Sequence, residues 1–193
     1  MARRRRKKGL ILLALAVLCS GTTHALEVRR LDVTFQGDRY VVILNAQLDA
    51  PPDAVGQVLK RYDDYPSLDP RILEAKVLSR EREHSLRLYT RMRGCLGSLM
   101  CRSLQRVEQV EERPDEILAT AVLDQSDVRF GVTRSQWQPQ NGGTALQYRL
   151  EIMPKFWVPR FFGRRLMLST LREGTLSLFT NVEREARTGH ATP

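Results

Sequence analysis

The chain has 193 residues and a formal net charge of +9, which at first suggests a negatively charged partner such as a nucleic acid. Six of the basic residues stand together at Arg3–Lys8, and no acidic residue comes before Glu27. From Leu26 onward, 25 basic residues are balanced by 22 acidic ones without a basic stripe, so the composition argues against a nucleic-acid binder and indicates one domain.

The N-terminal segment 1–25 has the form of an export signal. Its basic run precedes the apolar run Leu10–Leu18, and the small residues Thr23 and Ala25 suit the −3 and −1 positions of a cleavage site. A membrane-spanning helix needs about 20 apolar residues, so the apolar run is short for one. We expect cleavage after Ala25 and a periplasmic or secreted protein. An uncleaved inner-membrane anchor and a cytosolic basic tail are the alternatives.

The rest of the chain is predicted to comprise a lead-in of residues 26–38, a domain of residues 39–187 and a flexible tail of residues 188–193. Alternating apolar residues predict a first strand at Tyr40–Leu48. A short helix is predicted at Asp53–Tyr62. It ends before Pro66, because proline disfavours the helical conformation for the residue before it.

Six strand-like runs follow, separated by turn residues as in an antiparallel meander. They are Ile72–Arg80, Ser85–Arg93, Arg102–Glu111, Glu116–Leu123, Asp127–Gln138 and Thr144–Ile152. Asn141-Gly142-Gly143 is a strong hairpin signal before the last run. That run alternates most cleanly, with Leu146, Tyr148 and Leu150 on one face, so one side of the sheet should be dry.

The segment Pro159–Arg187 has no internal proline, and its apolar residues recur at three- and four-residue steps. This spacing predicts one long amphipathic helix. The order of elements indicates an α+β fold in which a curved antiparallel sheet wraps around the C-terminal helix. A long helix that crosses a concave sheet cannot fill it completely, so we expect a cavity lined by apolar side chains between the two.

The segment Leu48–Leu78 contains a strand that ends in Ala50-Pro51, a helix, the acidic pair Asp63-Asp64 and then Tyr65-Pro66. Together with Trp137, Pro139, the turn at Gly142–Thr144 and the long last helix, this pattern resembles the START-like superfamily. That superfamily includes polyketide cyclases, coenzyme-Q-binding START proteins and the birch-pollen-allergen fold. The resemblance implies a helix-grip fold. Its members bind sterols, quinones, plant hormones or polyketides, and some bind proteins.

Residues with catalytic or metal-binding chemistry are scarce. The three histidines form no evident His–Ser–Asp, Cys–His or metal-ligand pattern, and no cofactor is expected. Cys95 and Cys101 lie between two predicted strands, which in an exported protein predicts a hairpin disulfide; two free buried thiols are the alternative. Asp63 and Asp64 are interpreted as surface residues, with an acidic catalytic pair as the alternative.

The predicted ligand site lies between the long helix and the concave face of the sheet. Its candidates are Met167, Leu171, Gly174 and Leu178 on the helix, and Phe130, Leu146, Tyr148 and Leu150 on the sheet. Gly174 should be about 1 kcal/mol less favourable in a helix than alanine, which indicates a close approach by the short helix, a sheet residue or a ligand. Tyr148 is expected to place a polar tip in an apolar wall. Trp137 would share a face with Phe130 only across a bulge.

Aromatic residues surround the entry to the long helix, at Phe156, Trp157, Phe161 and Phe162. They either pack in the core or form a lip that contacts ligand or membrane, and the basic residues around them suit an anionic bilayer. Arg91 and Arg93 are predicted to lie on the wet face with Tyr89. An arginine inside the cavity is the alternative.

These features predict a protein that binds or transports a hydrophobic small molecule of the lipid or quinone class without catalysis. One alternative is an enzyme of the cyclase or dehydratase type, which an ionisable residue pointing into the cavity would favour. The other is a protein-interaction module, which a cavity too small for a ligand would favour.

Overall fold

A computed structural model of the protein describes residues 26–96, 100–158 and 163–189. The strands are β1 (Glu27–Gln36), β2 (Arg39–Leu48), β3 (Ile72–Arg82), β4 (Ser85–Leu96), β5 (Met100–Glu112), β6 (Glu116–Ala121), β7 (Val128–Gln140) and β8 (Gly143–Pro154). The α-helices are α1 (Pro52–Lys60), α2 (Tyr65–Leu68) and α3 (Gly163–Thr188), and short 3₁₀ turns occur at Tyr62–Asp64 and Leu123–Gln125. The predicted signal segment 1–25 and the end of the predicted tail lie outside the described residues.

One antiparallel sheet contains all eight strands, in the order β1-β2-β8-β7-β6-β5-β4-β3. Strand β2 pairs with β8, so the first hairpin of the chain is joined directly to its last strand. Strand β1 pairs with β2 along its whole length, through a turn at Gly37. The prediction of an α+β helix-grip fold, with a curved antiparallel sheet wrapped around a long C-terminal helix, is confirmed.

The β7–β8 hairpin fixes the register of the central strands. Its turn holds Asn141 and Gly142 at φ of 50° and 78°, the left-handed conformation that tight hairpin turns require. The register places Trp137 opposite Leu146 and Ser135 opposite Tyr148. Opposite residues of an antiparallel pair share a face, so the dry face of β8 continues onto β7.

Helix α1 covers one end of the concave face. Its buried residues Val55, Val58 and Leu59 face the sheet, and Gly56 lies against the indole of Trp137. A Cβ at Gly56 would stand 3.0 Å from the indole nitrogen, so glycine permits the close approach. Trp137 is therefore an inward-facing core residue beneath α1. The sequence had left open whether its side chain faces inward or outward.

Helix α3 has two halves with different surroundings. In the C-terminal half, Phe179, Val182 and Ala186 are buried in the core. In the N-terminal half, Met167 and Leu171 are only partly buried, although their spacing belongs to the same apolar face. The C-terminal half therefore packs tightly in the core, whereas a cavity separates the N-terminal half from the concave face of the sheet. None of the helices in the described ranges is long and apolar enough to span a membrane.

Cys95 and Cys101 form a disulfide across the end of the β4–β5 hairpin, as predicted. The two residues are directly opposite each other in the strand register. Closing a loop of this size stabilises the folded state by about 2 kcal/mol in the chain-entropy treatment. A structural disulfide is typical of proteins that fold in an oxidising compartment.

Candidate ligand cavity

A cavity of about 500 Å³ lies between the N-terminal half of α3 and the concave face of the sheet. Small-molecule sites usually enclose about 300–1,000 Å³, so the space suits a ligand. The condition that would have favoured a protein-interaction module, a cavity too small for a ligand, is not met. The walls are mainly apolar and include Leu88, Leu104, Ile117, Ala119, Leu150, Met167, Leu171, Leu178 and Phe179.

Six of the eight residues predicted for the ligand site line this cavity. They are Tyr148, Leu150, Met167, Leu171, Gly174 and Leu178. The alternation of β8 and the spacing of α3 thus locate two opposite walls of one space. Whether these residues contact a ligand remains a prediction.

Phe130 and Leu146 are not among the lining residues. Leu146 points inward but is 1% exposed within the packed core. Phe130 lies on the outer face of the sheet, because it is paired with Met153, whereas the inward positions of β7 are Thr133, Ser135 and Trp137. Its ring stacks under the guanidinium of Arg39 at 3.6 Å. The expectation that Phe130 faces the cavity is therefore wrong.

The space beside Gly174 is filled by the side chain of Arg71. A Cβ at Gly174 would stand 2.5 Å from both terminal guanidinium nitrogens. Arg71 donates to the carbonyl oxygen of Thr170 at 3.1 Å, and its Nη2 donates to the carboxylate of Asp69 at 2.6 Å. The predicted close approach at Gly174 thus comes from the segment before β3. It ties that segment to α3 at the cavity wall.

An ion pair that the sequence analysis missed lies in the cavity wall. Arg106 and Glu108 are on the concave face of β5, 3.3 Å apart, and their side chains are 12% and 4% exposed. Both line the cavity. Charged residues occur on both faces of β5, so the sequence does not show directly that these two are buried. Leu104 and Val110 are apolar and share the face of the pair, because they occupy alternate positions on either side of it, and this pattern could have indicated the inward position.

Polar atoms around this pair lack hydrogen-bond partners among the described residues. They are Arg106 Nε, Glu108 Oε1, Thr90 Oγ1 and Thr133 Oγ1. Thr90 is directly opposite Arg106 in the β4–β5 register. A buried polar group without a partner is costly, by about 1–3 kcal/mol, so this part of the wall favours occupants that can form hydrogen bonds.

Three tyrosines, Tyr62, Tyr65 and Tyr148, also contribute to the cavity lining. Tyr65 donates to the carbonyl oxygen of Leu59 at 2.7 Å, and Tyr62 donates to the carboxylate of Glu112 at 2.8 Å. Tyr148 packs edge-to-face against Phe179. Burial raises the pKa of Tyr148 to about 12, against an opposing effect of Arg106 and with a further increase from Glu108. Burial also raises the pKa values of Tyr62 and Tyr65.

We expect these tyrosines to ionise late in an alkaline titration. Because their folded pKa values lie above the unfolded value of about 10, the unfolded state loses its protons first. Their contribution to stability is complete below pH 10 and is lost as the pH rises towards about 12 and beyond. Ultraviolet titration of tyrosinate should show later ionisation in native protein than in urea-unfolded protein. Coincident curves would contradict the burial of these hydroxyls.

The mouth of the cavity lies between the tip of the β4–β5 hairpin and the start of α3. Trp157 lines it and is 79% exposed, and Phe156 beside it is half-buried. Of the two alternatives for these aromatic residues, packing in the core is therefore wrong for Trp157. The other two predicted lip residues, Phe161 and Phe162, lie outside the described residues. The exposed residues Arg93 and Arg102 line the cavity, and three more exposed basic residues, Lys155, Arg164 and Arg165, are close to Phe156 and Trp157 in sequence.

The remaining candidates for chemistry are at the surface. Asp63 accepts a hydrogen bond from the backbone of Val77, and Asp64 pairs with Arg61, both away from the cavity. Arg91 is on the outer face and pairs with Glu74. The described ranges contain no group of histidine, cysteine and acidic residues arranged to hold a metal ion.

No protein-family model and no curated protein matches the chain. Solved structures do match. The Zhui aromatase/cyclase from Streptomyces sp. R1128 is 11% identical over 79% of this chain and 97% of its own, with a TM-score of 0.64. A START superfamily protein from Mycobacterium smegmatis is 20% identical over 77% and 97%, with a TM-score of 0.58.

A fragment of the STAR-related lipid transfer protein from Xanthomonas axonopodis is 15% identical over 81% of this chain and 98% of its own, with a TM-score of 0.57. These similarities extend across nearly the whole length of each relative while sequence identity stays low. The similarity is one of backbone structure. The part that is shared is the curved sheet with the long C-terminal helix across it. The chain therefore has the START-like helix-grip fold.

Proposed function

We propose that this protein binds and carries a hydrophobic small molecule, of the lipid or quinone class, in the cavity beneath α3. The observation that carries the proposal is the cavity itself, about 500 Å³ with mainly apolar walls, which opens beside an exposed tryptophan. Such a space in a well-packed core costs stability unless an occupant fills it. The names of the solved structures, which include a lipid transfer protein, agree with this role.

A blocking substitution tests the proposal. Leu171 lines the cavity and is partly buried, so Leu171→Trp should fill space without disturbing the packed half of α3. We expect the variant to lose most uptake of the neutral lipophilic dye Nile red, with a melting temperature near that of the parent. The control is Ser177→Trp, at an exposed position of the same helix. Equal dye uptake by parent, variant and control would contradict a ligand cavity.

The disulfide and the N-terminal pattern also support a proposal about the compartment of this carrier. We propose export, with segment 1–25 as a signal peptide and the ligand acquired after folding outside the cytoplasm. The disulfide between Cys95 and Cys101 supports this location. N-terminal sequencing of the protein from its native host should begin at Leu26, whereas an intact Met1 in a membrane fraction would indicate an anchor.

We also propose that the mouth docks on an anionic membrane surface. Trp157 is the most exposed large apolar side chain in the described residues, and tryptophan favours the bilayer interface. Between Arg93 and Arg106, and between Pro154 and Arg172, the sequence contains basic residues but no acidic one. Each basic residue near an anionic surface adds about 1 kcal/mol of attraction.

Vesicle sedimentation tests this docking. The parent should sediment with vesicles of phosphatidylcholine and phosphatidylglycerol but not with phosphatidylcholine alone. Trp157→Ala should weaken the binding severalfold, and the control Leu78→Ala, at an exposed leucine of the edge strand β3, should not. Binding that survives Trp157→Ala at full strength would contradict docking through the mouth.

A cyclase-type enzyme is the second candidate, because an ionisable pair does point into the cavity. Glu108 would take a proton from the carbon next to a ligand carbonyl, and Arg106 would stabilise the enolate oxygen. The enolate carbon would then attack a second carbonyl of the same molecule, and the alkoxide formed there would take the proton back from Glu108. Mass spectrometry of ligands recovered from the parent and from Glu108→Gln distinguishes the two functions. If the protein is a carrier, the parent and Glu108→Gln should hold the same molecule. If it is an enzyme, the parent should hold product and Glu108→Gln should hold substrate.

A further inference from the structure

The cavity has an unbalanced positive charge at its mouth, whereas the charges on its inner walls are paired. We infer that Arg102, assisted by Arg93, binds the negatively charged head group of a single-chain amphiphile whose tail fills the cavity. The head group is a carboxylate or a phosphate and stays at the mouth. The inference rests on the proposed binding function and specifies the chemical class of the ligand.

The charged residues of the cavity lining show where the imbalance lies. Six charged residues of the described chain line the cavity. Four of them form two ion pairs, with N–O distances of 2.6 Å and 3.3 Å: Asp69–Arg71 and Arg106–Glu108. Each pair is neutral as a whole, so neither requires a charged ligand. The other two are Arg93 and Arg102, and neither has an ion-pair partner among the described residues.

The sequence around these two arginines offers no acidic partner either. The segments between Arg93 and Arg106 and between Pro154 and Arg172 contain no aspartate or glutamate. A cleft with charges of one sign and apolar walls concentrates ligands of the opposite sign. The mouth should therefore attract an anionic group.

Arg102 is placed to contact that group from the concave side. It precedes Leu104 and Arg106 by two and four positions on β5, so the alternation of the strand puts its side chain on the face that lines the cavity. Opposite it on β4 is Gly94, where a Cβ would meet no atom within 4 Å. The position beside Arg102 is therefore open, and a guanidinium group can bind a carboxylate or phosphate through two parallel hydrogen bonds.

The volume of the cavity limits the tail to one chain. A methylene group occupies about as much space as a water molecule in its liquid, roughly 30 Å³. A cavity of about 500 Å³ thus holds about 17 such groups, which is one acyl chain rather than two. The chain would lie against apolar walls that include Leu88, Ile117 and Leu150. Burying a charged head group would be costly, so the tail enters first.

Competition with bound Nile red, in solution without vesicles, tests the inference. Four probes share one alkyl chain: myristic acid, tetradecyl phosphate, tetradecanol and tetradecyltrimethylammonium. At pH 8 and low ionic strength, we expect at least one anion to displace the dye at a concentration about tenfold below that of the alcohol, because hydrogen bonds to charged groups are strong. The cation should be the weakest competitor. The stronger anion identifies the head group as a carboxylate or a phosphate.

Two results would contradict different parts of the argument. Equal displacement by the alcohol and by both anions would overturn the inference while leaving the proposed function intact. Failure of the parent to bind Nile red and every probe would overturn the proposed function as well.

Two variants of Arg102 assign the preference to this residue. Arg102→Gln should reduce the advantage of the anions over tetradecanol to about threefold or less, because Arg93 alone is an exposed charge. Arg102→Glu should reverse the order, so that tetradecyltrimethylammonium displaces the dye before either anion. The position is exposed and has no ion-pair partner among the described residues, so both variants should fold, which thermal unfolding checks.

The matched control is Arg82→Gln, at the end of β3 that lies away from the mouth. Arg82 is also exposed and has no ion-pair partner in the described ranges, so the control removes the same charge from a remote site. Its order of probes should match that of the parent. An anion advantage that persists at full strength in Arg102→Gln, or an unchanged order in Arg102→Glu, would overturn the inference.

Discussion

Replacing Arg106 by methionine should destabilise the protein by about 3–5 kcal/mol, because it leaves the carboxylate of Glu108 buried without a counter-charge. Glu108 has no other ion-pair or hydrogen-bond partner among the described residues, and its side chain is 4% exposed. Replacing both residues, by methionine and leucine, should restore most of the lost stability. Apolar side chains of similar volume remove both desolvation costs together.

Urea unfolding at neutral pH measures both changes. The control is Arg134→Met, which removes a half-exposed partner of Glu116 at 4.0 Å and should cost about 0–1 kcal/mol. If Arg106→Met costs no more than this control, the Glu108 carboxylate is solvated by water in the cavity. The ion pair Arg106–Glu108 would then contribute no more to the free energy of unfolding than a solvent-exposed pair, although both side chains are enclosed by the fold.

The fold was predictable because its signals are local and repeated. The alternation of Tyr148 and Leu150, the turn at Asn141-Gly142 and the helical spacing of Leu171 and Leu178 each depend on residues close in sequence. The alternation of β8 and the helical spacing of α3 each indicated residues that line the cavity. These features are set by the periods of strand and helix, which a single sequence displays directly.

The errors concern residues whose placement depends on register between distant segments. Phe130 and Trp137 lie on opposite faces of β7, because the pairing with β8 is regular from Phe130 to Gln140, and the local sequence did not indicate which of the two faces inward. Arg71 reaches Gly174 across 103 positions of sequence, which no periodicity indicates. A glycine in a helix therefore indicated a close contact but could not identify the partner.

The polar site was hidden for a related reason. Charged residues on a strand normally mark the solvent face, and β5 has them on both faces. Arg106 and Glu108 are buried because neighbouring strands and α3 enclose them, and because each neutralises the other. The arginines for which a cavity position was considered were Arg91 and Arg93, but Arg91 pairs with Glu74 on the outer face and Arg93 is exposed at the mouth. The enzyme alternative therefore depends on an ionisable pair, Arg106–Glu108, whose position in the cavity is visible only in the three-dimensional structure.

Replacing Phe179 by alanine should cost about 3–5 kcal/mol of unfolding free energy, as expected for a buried phenylalanine. Phe179 is 1% exposed, packs edge-to-face on Tyr148 with ring centroids 4.9 Å apart, and lies where the packed half of α3 meets the cavity. Its loss removes buried apolar surface and also merges the vacated volume with the existing cavity. We expect a lower urea midpoint together with an increased capacity for Nile red.

The control for this substitution is Phe35→Ala on the edge strand β1. The ring of Phe35 is partly exposed and contacts Tyr40 and the guanidinium of Arg164, so its removal should cost clearly less. Because the apolar contacts of α3 with the core are concentrated in its C-terminal half, Phe179 should determine whether α3 remains closed over the sheet. A cost similar to that of Phe35→Ala, with unchanged dye capacity, would show that the core around Phe179 collapses into the vacated space and that the cavity volume is not fixed by this contact.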